Sequence, residues 1–237
     1  MTQEERNRLY SEVESLIKIY DEYSPVKDDK TFDREGVKNC ILKMNKECIS
    51  NKDECQAFSS WMESSDFFKS PASTRFHGNF EGGLAVHSLI VARQAFLIAR
   101  PFLENFFMSP VSSKFQTVLS AKDIYISAIA HDFCKADSYK TEWHNTKDIF
   151  GNWKKTPVYR SKTDSRALGH GNESVLRLLE IMPSLIKNRP VIEAISRHMG
   201  FSDLSEMESY NYSNFLDNPL LLLIQFADQS AASWYGY

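Results

Sequence analysis

The chain is short of several features that would classify a protein at once. It has four cysteines in 237 residues, and Cys40, Cys48, Cys55 and Cys134 form neither a Cys-x-x-Cys pair nor a dense framework. That excludes a disulfide-stapled scaffold and predicts reduced thiols in a cytoplasmic protein. Neither sign of charge dominates. A net charge of −3 and a pI near 6.1 give no global field toward nucleic acid or an anionic membrane, although a local basic patch can still bind phosphate. Long hydrophobic runs are also missing. The longest, around Pro219 to Ala227, is interrupted by Gln225, stops at Asp228 and is too short to span a bilayer. The opening Met1-Thr2-Gln3-Glu4-Glu5-Arg6 is polar and acidic, unlike a secretory leader. Repeats and low-complexity segments are absent as well.

What is present is helical periodicity. At 42% hydrophobic the chain suits one large globular domain or a domain with a small appendage. Leu9, Val13, Leu16, Ile17 and Tyr20 form a stripe that predicts a helix over 3–22. Further helices are expected over 33–48 and 52–68, followed by a loop punctuated by Pro71 and glycines. Helices over 84–100, 120–132, 170–182, 187–199 and 217–234 complete the pattern. Trp143, Ile149, Trp153 and Val158 are strand formers around a turn at Phe150-Gly151-Asn152, which predicts a β-hairpin over about 139–160. The expected fold is therefore mostly α with one hairpin excursion. An N-terminal helical extension, 1–65, precedes a main domain, 66–237.

The costliest residues lie at the end of the apolar run Ile124–Ala130. His131 and Asp132 follow it directly, then Phe133, Cys134 and Lys135. An imidazole, a carboxylate and an ammonium there need partners. His87 lies among Val86, Leu89, Ile90 and Ala92, and taken alone it reads as a hydrogen-bonded core histidine. His77, His170 and His198 each sit beside or near a glycine, where the backbone can bend to aim a ring into a shared cavity. Asp228 interrupts an apolar helix, and a cation is its economical partner. Taken as a set, these residues predict a metal site.

The order His87, His131-Asp132, Asp228 resembles the HD superfamily of metal-dependent phosphohydrolases. Supporting phrases are Phe67 to His77, Gly82-Gly83-Leu84-Ala85-Val86-His87-Ser88, and His131-Asp132-Phe133-Cys134-Lys135. The second phrase is similar to the HD domain of YhaM-type 3′-5′ exoribonucleases and of related phage and bacterial HD hydrolases. The likeness spans about residues 65 to 235. It implies an HD-domain helical bundle in which His87, His131, Asp132 and Asp228 bind a divalent metal. It further implies that His170 and His198 bind a second ion, with Asp132 as the bridge. Nitrogen and oxygen donors suit Mn, Fe, Co, Ni, Mg or Zn. A single-metal site, with His170 and His198 facing the substrate, is the alternative.

On that resemblance the expected activity is cleavage of phosphoester bonds in nucleotides or short oligonucleotides by a metal-activated water. Asp132 or Asp228 is expected to orient the water, Lys135 to reach a phosphate, and Arg75 and His77 to contact phosphate or protonate the leaving oxygen. Lys154, Lys155, Arg160, Lys162 and Arg166 crowd against one acid, Asp164, with Trp143, Trp153 and Tyr159 interleaved. That composition predicts a lid or substrate wall gripping a nucleotide or a short single strand. Two alternatives stand beside it: hydrolysis of a small nucleotide (a mono- or triphosphate, a cyclic or a dinucleoside signal), and a non-catalytic nucleotide-binding module. No membrane partner is expected. The residues leave self-association open.

Overall fold

The computed structural model describes residues 1–27, 31–162 and 168–235. The first half holds α1 Gln3–Tyr23, α2 Arg34–Cys48, α3 Lys52–Ser64, α4 Gly83–Phe107 and α5 Ala121–Ala130. The hairpin follows as β1 Tyr139–Lys147 and β2 Trp153–Ser161. Then come α6 His170–Ile181, α7 Arg189–Ser196, α8 Glu206–Asn211 and α9 Pro219–Trp234. The protein is mostly helical with one antiparallel hairpin, as its periodicity predicts.

Helix starts follow from side chains that accept orphan amides. Thr2 and Ser120 cap α1 and α5 in reciprocal boxes with Glu5 and Asp123. Asp33, Asn51, Asn188 and Asn218 cap α2, α3, α7 and α9. Pro219 stands at the first position of α9, where its missing N–H costs nothing.

α4 is the axis of the fold, packed along α9, α5 and α1. One buried cluster runs from Leu9 to Ala231, so the first 65 residues share the core of the rest. Tyr125 on α5 joins the two parts. Its hydroxyl meets Asn45 Oδ1 at 2.6 Å and Ile41 O at 3.1 Å, both on α2. α4 has the length and hydropathy to cross a bilayer, although most of that stretch is buried within the protein.

Three local differences have physical causes. α4 continues past Pro101 to Phe107, where the periodic reading stops at residue 100, because Leu103 is fully buried and packing outweighs the lost hydrogen bond. The third helix ends at Ser64 rather than 68, and the chain then turns so that Phe67 enters the core. α8 was not anticipated, although Ser205 and Glu208 form a capping box.

The segment between α3 and α4 is held against the start of α4. A Cβ on Gly83 would fall 2.0 Å from Gly78 O, so only glycine permits this approach. The hairpin pairs in unbroken register from Tyr139↔Ser161 to Lys147↔Trp153.

Candidate metal centre

Five segments deliver six ligand-type side chains to one place. His87 comes from the second turn of α4, and His131-Asp132 follow the last turn of α5. His170 opens α6, His198 lies just beyond α7, and Asp228 projects from α9. His87, His131, Asp132 and His198 are buried, while His170 and Asp228 are half-buried.

Short contacts knit the group. His87 Nε2 lies 3.0 Å from Asp228 Oδ1 and 3.3 Å from His131 Nε2. His131 Nε2 is 3.3 Å from Asp132 Oδ2 and 3.7 Å from Asp228 Oδ1. Asp132 Oδ1 turns the other way, touching His170 Nε2 and lying 3.7 Å from His198 Nε2. Three overlapping sets each have the proximity to hold an ion: His87, His131 and Asp132; His131, His198 and Asp228; Asp132, His170 and His198.

Ring orientation is fixed by the backbone. His131 Nδ1 donates to Ala128 O, and His198 Nδ1 donates to Ile195 O, each at 2.7 Å. A carbonyl only accepts, so Nδ1 of each ring carries a proton and Nε2 is the nitrogen that faces the cluster. His198 Nε2 is buried with no hydrogen-bond partner. Such a buried orphan is expensive, and a bound cation would satisfy it. The residues fit a divalent metal ion with mixed nitrogen and oxygen donors. Among the described residues, those six can hold one.

Lys135 is buried, with Nζ 2.6 Å from Asp132 Oδ2. It stands as an anchor on the carboxylate rather than at a solvent-facing helix end. Burial alone would raise the Asp132 pKa, but Lys135, His131 and His170 hold it well below the carboxylate range. Burial opposes the Lys135 charge too, and Asp132 outweighs it and raises that pKa. Burial lowers His87 and His170. At His131 burial is overcome by Asp132 and Asp228, which raise it. At Asp228 the carboxyl pKa is lowered by His87, His131 and His198 against the opposing effect of burial.

The turn after Asp132 is gripped by α6. Arg177 Nη1 donates to Phe133 O at 3.1 Å and Ala136 O at 2.5 Å, and Ser174 Oγ accepts from Cys134 N at 3.1 Å. Neither residue was singled out from the sequence. Their spacing from His170, i+4 and i+7, places all three on one helix face and was the available signal. α6 itself is pressed onto α7, because a Cβ on Gly171 would fall 2.2 Å from Ser196 O.

A cleft of about 1080 Å³ opens over His198 and Asp228, and Arg75 and His77 line it as well. The His77 ring centroid lies 4.6 Å from that of His87. Burial, then His87 and Lys135, push the His77 pKa down to about 4, so it is neutral near pH 7. The apolar lining of Phe76, Phe102, Met199 and Phe226 was missed, since nothing in its spacing marks a wall built from four separate segments.

The hairpin does not line that cleft. Its Tyr139, Thr141, Trp143 and Tyr159 face a second one, with Arg34 and Lys69. The basic residues there are divided. Arg160 binds Glu142 at 2.8 Å, and Lys162 donates to Asp137 O at 2.6 Å. Lys154 and Lys155 are exposed neighbours on one strand and so project to opposite faces. Arg166 and Asp164 lie outside the described residues.

No family model matches the chain, and no curated protein or solved structure is significantly similar to it.

Proposed function

We propose that the chain is a metal-dependent phosphohydrolase of HD-superfamily type, acting on phosphoester bonds of nucleotides or short oligonucleotides. The observation that carries this reading is the division of Asp132. Its Oδ2 faces His131 at 3.3 Å and His87 at 3.9 Å, and its Oδ1 faces His170 and His198. One carboxylate placed between two histidine pairs supports two ions rather than one. Divalent metal bound there supplies Lewis acidity, which activates water and offsets charge on phosphoryl oxygens.

The chain's own residues divide the remaining work. Lys135 holds Asp132 in place through Oδ2, and Arg177 fixes the turn that carries both. Asp228, at the cleft edge, accepts a hydrogen bond from a water and orients it. Neutral His77 donates a hydrogen bond to a phosphate or leaving oxygen, and exposed Arg75 contributes a charge toward the phosphate. Four free cysteines support a reducing, cytoplasmic setting.

The test is metal content and phosphoester turnover on the purified chain. Two ions per chain are expected, with His170→Ala and His198→Ala each retaining one, and His131→Ala and Asp132→Ala abolishing hydrolysis. A protein that takes up no metal when supplied with Mn²⁺, or a hydrolytic Asp132→Ala variant, overturns the proposal.

A further inference from the structure

The cleft over His198 and Asp228 narrows the substrate, on the reading that this centre hydrolyses phosphoesters. Its volume, about 1080 Å³, is ample for one nucleotide. Its walls are aromatic and uncovered. Phe76 is 77% exposed and Phe226 is 47% exposed, while Phe102 and Met199 extend the same apolar lining. Large rings left in water beside a polar floor are unusual for a surface without a ligand, and they offer faces on which a planar base stacks. The charge pattern is equally particular. Among the described residues lining the cleft, Arg75 is the one cation.

We propose that this cleft is a nucleoside subsite and that the substrate class is the nucleoside monophosphate. The base packs on Phe76 and Phe226, and its single phosphate lies between Arg75 and the metal centre. A triphosphate or a strand brings further phosphates that no second described lining cation meets, and the hairpin lysines lie outside this lining. Hydrolysis consumes one water. Its oxygen bonds to phosphorus, the ester P–O bond breaks, and the nucleoside hydroxyl leaves with a proton from that water.

Calorimetry on the Mn²⁺-loaded full chain tests the assignment. Four nucleoside 5′-monophosphates, ribose 5-phosphate, a nucleoside triphosphate and a short oligonucleotide serve as probes. At least one monophosphate is expected to bind about tenfold more tightly than ribose 5-phosphate. The exposed-site double variant Phe76→Ala, Phe226→Ala is expected to erase that preference while keeping ribose 5-phosphate affinity and metal content. Equal binding of monophosphate and ribose 5-phosphate, a preference that survives the double variant, or tighter binding of triphosphate or oligonucleotide overturns the subsite. Phosphate release in the same samples reports on the hydrolase reading alone. Selective binding without release overturns hydrolysis and upholds the subsite.

Discussion

Replacing Lys135 by Met is expected to destabilise the protein far more without metal than with it. The ammonium lies 2.6 Å from Asp132 Oδ2, and both side chains are buried. At an effective dielectric of about 20, that separation corresponds to about 6 kcal/mol of attraction, part of which repays desolvation. Removing one partner of such a pair strands the other, at a cost of about 3–5 kcal/mol. Asp132 keeps His131 and His170 as neighbours, which places the expected loss near the lower figure, about 3 kcal/mol. A cation on the same carboxylate replaces the missing charge, so saturating Mn²⁺ should cut the loss to about 1 kcal/mol or less. Urea denaturation of wild type and Lys135→Met, each with chelator and with excess Mn²⁺, gives the four free energies required. An equal loss in both conditions refutes the reasoning, because it means that no cation shares the carboxylate with Lys135. A metal-free loss below about 1 kcal/mol refutes it as well, because the pair is then not desolvated.

Two further outcomes are expected. Gly171→Ala should cost about 1–3 kcal/mol by overpacking, since the new Cβ meets Ser196 O at 2.2 Å, and it should lower the bound metal content by moving His170 away from His198. Unchanged melting and metal content would show that α6 tolerates the shift. His77 is held near 4 against an ordinary value of 6.5, so the unfolded chain binds its proton first. Its contribution to stability is complete above about pH 6.5 and is lost as the pH falls toward about 4. Urea midpoints of the chelated protein should therefore fall across that window, and less steeply in His77→Gln; parallel curves for the two proteins contradict this.

The sequence made much of the architecture legible, because helical stripes and capping residues act locally. Leu9, Val13 and Leu16 announce α1, and all three are buried. The helix expected over 84–100 runs on through Pro101 to Phe107 because Leu103 is buried, a tertiary effect that periodicity does not show. The ligand-type residues were legible for a different reason. His87, His131, Asp132 and Asp228 are costly in apolar helical surroundings, and cost is visible without coordinates. The cleft was not. Phe76, Met199 and Phe226 come from separate segments, and only folding sets them around one space. The pairing of the hairpin's basic run was not legible either, because composition does not reveal that Arg160 is bound to Glu142 or that Lys162 holds a carbonyl.

The Nδ1 bonds of His131 and His198 have a consequence for how a cation is received. Each ring donates to a carbonyl of the last turn of a helix, Ala128 O of α5 or Ile195 O of α7. Two helix C-termini therefore lie beside the same cluster, and a helix C-terminus favours a nearby positive charge by about 0.3–1 kcal/mol. Ligand and helix-end donor are the same side chain. Exchanging either histidine for another metal-binding residue loses that hydrogen bond along with the imidazole, so the site can be emptied more easily than it can be redesigned.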